Sequence, residues 1–300
     1  MRAKLIDGKQ MAEDIRSEVA AGVKALVDAT GVRPGLAAVL VGEDPGSAIY
    51  VRNKRRACEE AGIFSETFQL AETVPEDELV TLVVRLNADE RFHGILVQLP
   101  LPPHVDEQAI ILTVDPDKDV DGLHPINVGR LLSGQPRFVP ATPAGVREML
   151  VRSGNDPSGK NVVIVGRSNI VGKPLAALLM QKTKGANATV TVCHTGTPDI
   201  GAVTRQADIV VAAMGRPQAI TADMVGDGAV VIDVGINRIE DATRQSGWRL
   251  VGDVDFDAVA EKASAISPVP GGVGPMTIAM LLKNTLLAAQ RAASGQQAAT

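Results

Sequence analysis

Short, continuous apolar runs alternate along this chain with stretches of helical period, and no other feature restricts its fold as sharply. Leu36 to Val41 is unbroken apolar sequence closed by the turn Gly42-Glu-Asp-Pro-Gly46, and Gly94 to Leu99, Asn161 to Val165, Asp208 to Ala212 and Val230 to Val234 are comparable runs. Phe64 to Leu70 and Ala188 to Cys193 read as further strands. Segments too short for a helix and apolar on both faces suit a parallel sheet covered on each side. Between them, residues 9–29 place Met11, Ile15, Val19, Val23, Leu26 and Val27 at helical spacing, and helices are expected near 47–61, 75–88, 144–152 and 277–292. Strands alternating with helices predict right-handed βαβ units, hence an α/β chain.

The runs fall into two sets, because between about 115 and 145 the texture changes to clusters of Asp, Pro and Gly. The expected organisation is an N-terminal α/β domain over 1–140 and a Rossmann dinucleotide-binding domain over 141–276, with a helix at 277–292 crossing back to the first domain and a flexible tail over 293–300. Both cores must be aliphatic, since 300 residues include only five Phe, one Tyr and one Trp. That scarcity argues against an aromatic-rich sandwich or a single-strand nucleic-acid binder. A net charge of −5 offers no field to hold a polyanion, and the basic run Arg52, Lys54, Arg55, Arg56 reads most simply as a solvated helix face. Cys58 and Cys193 are too few for a disulfide framework, and with four scattered histidines they lack metal-ligand spacing. The start carries no apolar signal region, and no window reaches the ~18 apolar residues of a membrane span. The expectation is a soluble cytoplasmic protein without metal, membrane or nucleic-acid partner.

Val162-Val-Ile-Val-Gly166-Arg-Ser-Asn-Ile-Val-Gly172-Lys-Pro174 is a strand running into a Gly turn that opens a helix. A helix N-terminus offers unpaired N–H groups to a pyrophosphate, and Gly166 leaves room for its approach. The match to G-x-G-x-x-G is imperfect, with Ser168 at the second position and Gly172 one place late, so an ordinary tight turn stands beside it. The second strand ends in Val192-Cys-His-Thr-Gly-Thr197, with no carboxylate to bind a ribose 2′-hydroxyl. Arg167, Thr195 and Thr197 could instead meet a 2′-phosphate, which favours NADP over NAD. Tyr50 and Lys54 share one helix face, a turn after Ser47. A lysine flanked by Arg52, Arg55 and Arg56 and shielded by a ring should have a lowered pKa, suited to proton transfer, although an exposed i,i+4 pair is the plainer reading. Gln98 interrupts an apolar strand near its carboxyl end, where open α/β sheets bind ligands. Asp121, by position alone, reads first as a plain loop acid and second as a functional one.

Ser47-Ala-Ile-Tyr50 through Lys54, Gln98-Leu-Pro-Leu-Pro102, Lys118-Asp-Val-Asp121-Gly, Gly166 through Pro174 and Pro270-Gly-Gly-Val-Gly-Pro-Met-Thr277 together resemble the bifunctional methylenetetrahydrofolate dehydrogenase/cyclohydrolase family. The likeness runs from Leu5 to Ala292. It implies a homodimeric cytoplasmic enzyme with a folate substrate and NADP, both reactions sharing a cleft between the domains. Lys54 would transfer protons in hydrolysis, with Gln98 tuning it. Tyr50 would stack on the folate and Asp121 would hydrogen-bond the pterin. Pro270, Gly271 and Gly272 would line the p-aminobenzoate, and Gly166, Arg167, Ser168, Thr195 and Ile236 would contact NADP. Gly196 stands where the family often has a basic residue, which loosens the expected preference for NADP, and Ala141 stands where a Cys is common. Retention of Lys54 and Gln98 argues against a dehydrogenase that has lost hydrolysis. A non-catalytic NADP-binding sensor would leave the Tyr50, Lys54, Gln98 and Asp121 set unexplained.

Overall fold

The computed structural model describes residues 2–42, 45–244 and 247–295, with backbone alone at 45–49. From the N-terminus the chain runs β1 (Lys4–Leu5), α1 (Gly8–Thr30), β2 (Gly35–Val41), α2 (Pro45–Glu60), β3 (Phe64–Leu70), α3 (Glu76–Ala88), β4 (Gly94–Val97), α4 (Glu107–Thr113) and α5 (Pro125–Leu132). It continues through α6 (Ala141–Arg152), β5 (Asn161–Val165), α7 (Gly172–Leu179), β6 (Thr189–Cys193), α8 (Ile200–Thr204), β7 (Ile209–Ala212) and β8 (Val230–Asp233). The last elements are β9 (Asn237–Glu240), β10 (Trp248–Val251), α9 (Phe256–Ala260), β11 (Ala265–Ile266) and α10 (Val273–Ala293). Of the tail expected over 293–300, residues 296–300 lie outside the described residues. No described helix is long and apolar enough to cross a membrane.

Two compact units form. The first comprises Glu13–Ala141 and the chain from Ile278 onward. Its sheet is parallel, ordered β3-β2-β4, and β2 is buried along its whole length, as its unbroken apolar sequence requires. Leu79, Val83, Phe92, Ile95 and Ile110 fill one face of this sheet. Phe64 stacks on Phe92 and Phe68 meets its edge, so three of the chain's five phenylalanines serve this core. Along α1, Ala12, Ile15, Val19, Val23 and Leu26 are buried, whereas Val27, expected on the same face, is 36% exposed. A 3.6-residue period carries the position after Leu26 round toward solvent. Asn284 of α10 anchors the returning helix by donating to the carbonyls of Val120 and Val139 at 2.8 and 2.9 Å.

The second unit takes Thr142–Thr277 together with the residues up to Ala12. The sequence reading gave that N-terminal stretch to the first domain. Here β1 pairs in parallel with β11, Lys4 opposite Ala265 and Leu5 opposite Ile266, at one edge of a six-stranded sheet. Two residues of strand are too few to leave a periodic signal. The sheet order is β1-β11-β8-β7-β5-β6, every pairing is parallel, and the core is aliphatic, with Val163, Val165, Val210, Val231 and Ile266 among its members. Strand order reverses at β5, whose neighbours are β6 on one side and β7 on the other. Open α/β sheets bind ligands outside the carboxyl ends of their strands at such a reversal.

Candidate active site

In the first unit, α2 presents Tyr50, Lys54 and Cys58 at four-residue intervals, so the three share a face. The side chain of Ser47 lies outside the described residues. Lys54 is only 5% exposed. Its Nζ donates to Gln98 Oε1 at 3.1 Å and sits 4.9 Å from the centroid of the Tyr50 ring. Burial lowers the Lys54 pKa, outweighing the pull of Asp121, which favours the charged form. The neighbouring arginines are not the cause. Arg55 and Arg56 lie on the exposed face of α2, paired with Glu59 at 2.9 Å and Glu60 at 2.8 Å. Cys58, buried one turn further on, is pushed up to about 12 by burial and remains a thiol.

Gln98 stands just beyond β4, not inside it, because the strand ends at Val97. Its backbone N–H donates to Val39 O at 2.9 Å, and its Nε2 donates to Leu99 O at 2.8 Å. The second bond orients the amide so that Oε1 faces Lys54. Asp121 arrives from the other side of β4. Ile95 N donates to Lys118 O at 2.8 Å, and a parallel bridge between Ile95 and Asp119 lays this segment along the strand. Asp119, buried, accepts from Leu123 N, His124 N and Asn127 Nδ2 at 2.7–3.1 Å and so sets the turn into α5. Burial raises Asp121 to about 6, opposed by Lys54 and reinforced by Asp119. Val97, Leu99, Asp119, Asp121 and Leu123 line one small hollow.

In the second unit, the turn from β5 to α7 carries Gly166, Arg167 and Ser168. Gly166 adopts φ 134°, and a Cβ there would strike the carbonyl of Ala213, while one at Gly172 would strike the carbonyl of Gly166. Both glycines are required first by close backbone packing, which also brings the turn against the end of β7. Ser168 Oγ accepts from Val171 N at 3.1 Å and stays exposed beside Arg167. Thr195 is exposed in the turn after β6. Thr197, offered by the sequence as a phosphate ligand, instead closes that turn by accepting from His194 N at 3.0 Å. Asp199, the first carboxylate after β6, caps α8 through Ala202 N at 2.8 Å. Ile236 follows β8 and is 53% exposed. Pro270, Gly271 and Gly272 precede α10, where Gly271 O accepts from Lys9 N at 2.9 Å and the Gly272 carbonyl packs so closely on Gly8 that a Cβ there would strike it. The reversal of strand order at β5, the exposed Arg167 and the lack of a free carboxylate at the end of β6 fit a dinucleotide bearing a 2′-phosphate.

Residues 6–121 match the model for the tetrahydrofolate dehydrogenase/cyclohydrolase catalytic domain, and residues 140–293 match that for the same family's NAD(P)-binding domain. The chain belongs to the tetrahydrofolate dehydrogenase/cyclohydrolase family. Within that family, the bifunctional protein FolD of Chlorobium luteolum is 56% identical over 290 residues, spanning 96% of this chain and 98% of its own. The FolD of Syntrophus aciditrophicus is 56% identical over 293 residues, spanning 98% and 99%. The crystal structure of the bifunctional FolD from Campylobacter jejuni superposes with a TM-score of 0.90 at 47% identity, covering 97% of this chain and 99% of that one. The Trypanosoma brucei FolD, solved with NADP cofactor and an inhibitor, gives 0.92 at 43% identity over the same shares.

Sequence reasoning about this tetrahydrofolate dehydrogenase/cyclohydrolase missed three buried carboxylates, Asp119, Asp233 and Asp253. Asp233 ends the apolar run of β8, and a charge closing a buried strand was a legible signal. Asp253 carried none, since it sits in an ordinary-looking Gly-Asp-Val-Asp segment. Among the described residues, no group of three or more His, Cys, Asp or Glu is placed to hold a metal ion.

Proposed function

We propose that the protein oxidises 5,10-methylenetetrahydrofolate to the 5,10-methenyl cation with NADP and hydrolyses that cation to 10-formyltetrahydrofolate. The observation that carries this reading is Lys54: a buried amine with a lowered pKa, hydrogen-bonded to Gln98 and set against Tyr50. In hydrolysis, water adds to the electrophilic one-carbon bridge and its proton passes to Lys54 Nζ. The adduct then collapses: its hydroxyl proton is lost to solvent as the formyl C=O forms, the bond from that carbon to one folate nitrogen breaks, and the ammonium of Lys54 returns a proton to that nitrogen. A permanently charged arginine could not take the first proton. Gln98, oriented by Leu99 O, accepts from Lys54 and holds the amine in place. Tyr50 offers a ring face to the folate, and Asp121, kept near neutral pH in its titration, hydrogen-bonds the pterin.

Bound NADP would supply the hydride acceptor for oxidation of the methylene carbon. Gly166, Arg167, Ser168 and Thr195 would hold its phosphates, with Arg167 serving the 2′-phosphate, and Ile236 would contact the remainder of the cofactor. Pro270, Gly271 and Gly272 receive the p-aminobenzoate part of the folate. The two compact units correspond to these two tasks. Two free cysteines, both buried, suit a reducing cytoplasm. A homodimer joined through the Rossmann unit is supported by β6, which pairs on one side only and leaves an open sheet edge. The deciding assay follows NADP reduction and methenyl hydrolysis spectrophotometrically with the methylene and methenyl folates. Absence of both would leave an NADP-binding protein without this chemistry.

A further inference from the structure

Two carboxylates with no part in the chemistry above are buried at the carboxyl ends of β8 and β10, Asp233 at 3% and Asp253 at 0% exposure. Asp253 accepts three consecutive backbone N–H groups of the segment leaving β7: Met214 at 2.7 Å and Gly215 at 2.9 Å on Oδ2, and Arg216 at 2.9 Å on Oδ1. Its Oδ1 also accepts from Asn237 Nδ2 at 2.9 Å. Asp233 in turn accepts from Gly235 N and Asp253 N on Oδ1 and from Val254 N on Oδ2, each at 2.9 Å. Every donor in this network is a neutral amide, so the carboxylates are held by converging dipoles and fix several backbone segments at once. The fit leaves no spare room: a Cβ on Gly235 would strike Asp253, and one on Gly252 would strike Asp233.

The segments tied together are those that follow β7 and β8, and the first begins at Ala213, whose carbonyl packs on Gly166 of the phosphate turn. In a doubly wound sheet a dinucleotide crosses the reversal point, with its adenosine half beside the second strand. With the reversal at β5 and Thr195 after β6, the nicotinamide half must lie over the ends of β7 and β8. We propose that Asp253, braced by Asp233, is a positioning residue for the dehydrogenase step, holding Met214–Arg216 and Ile236–Asn237 as the bed of the nicotinamide. The assignment rests on the NADP-dependent reading above.

Asp253→Asn is nearly isosteric but turns an amide donor toward N–H groups that need acceptors. The expected result is a KM for NADP raised about tenfold or more together with a lower dehydrogenase kcat, while methenyl hydrolysis measured without NADP stays within about twofold of the parent. Hydrolysis depends on Lys54 and Gln98 in the other unit and reports on that unit, while the urea transition of Trp248 reports whether the unit that holds Asp253 is folded. Asn237→Ala, which removes one donor and leaves the carboxylate in place, should raise the same KM by about two- to fivefold and decides the matter if Asp253→Asn does not fold. Unchanged dehydrogenase kinetics in the variants, or a parallel fall of both activities in Asn237→Ala, overturns the proposal. A parent enzyme that fails to reduce NADP refutes the functional reading itself, a separate outcome.

Discussion

Replacing Asp121 by Asn should give the protein a stability that improves relative to the parent as pH rises. Burial lifts the Asp121 pKa from 3.8 to about 6, with the attraction of Lys54 already included. A group whose folded pKa is raised contributes stability that is fully present below its unfolded value and is lost as pH climbs through the folded one. The wild-type protein therefore gives up stability between 3.8 and about 6, whereas an Asn at this position has nothing to ionise. At ~1.36 kcal/mol per pH unit the loss reaches about 3 kcal/mol. The variant's advantage at about pH 8 should thus exceed its advantage at about pH 3 by about 3 kcal/mol, whatever constant offset the amide introduces. With urea slopes of ~1–3 kcal/mol per molar, the midpoints should separate by about 1 M or more. The single tyrosine and single tryptophan make the assay local, since Tyr50 lies in the first unit and Trp248 in the second. The pH-dependent shift belongs in the Tyr50 transition. A difference between Asp121→Asn and the parent that does not change with pH would refute the claim that this carboxylate is desolvated.

Lys54→Met should lower methenyl hydrolysis by about 10²–10⁴ while retaining measurable NADP-linked oxidation, and Lys54→Arg should fare no better because guanidinium does not give up its proton. Wild-type hydrolysis in either variant removes the lysine from the mechanism. For Arg167→Ala the KM for NADP should rise about tenfold and that for NAD should barely move, so equal losses with both cofactors would exclude a 2′-phosphate contact. Gly166→Ala forces a Cβ against the Ala213 carbonyl at a left-handed φ of 134°. It should destabilise the Trp248-containing unit by about 2–4 kcal/mol, read as an earlier tryptophan transition beside an unchanged tyrosine one.

The strands and long helices were legible because their signals are local. Asn161–Val165 and Phe64–Leu70 have the bounds their residues suggested. Gln98 reads as lying within its strand because an apolar Leu99 extends the run, although the paired register with β2 ends at Val97 and only the Gln98 N–H reaches on to Val39 O. Of the two reasons the sequence offers for a lowered Lys54 pKa, desolvation holds and the neighbouring arginines do not. Arg55 and Arg56 point to solvent, and the desolvating surroundings come from the fold. Gly166 was read as clearing space for a phosphate, while the carbonyl it makes room for belongs to Ala213, brought alongside by the β5–β7 pairing.

The sequence by itself determined the α/β class and, Val27 apart, the buried face of α1, because side-chain direction follows from helical and strand periods within a few residues, while the proposed folate-site residues came from its resemblance to the family. Only the tertiary structure decided which groups lose water and which carboxylates organise backbone. Those outcomes depend on neighbours far apart in the chain, 44 positions between Lys54 and Gln98 and 39 between Met214 and Asp253. Desolvation and hydrogen-bond satisfaction are properties of what closes around a residue, and no local pattern carries them.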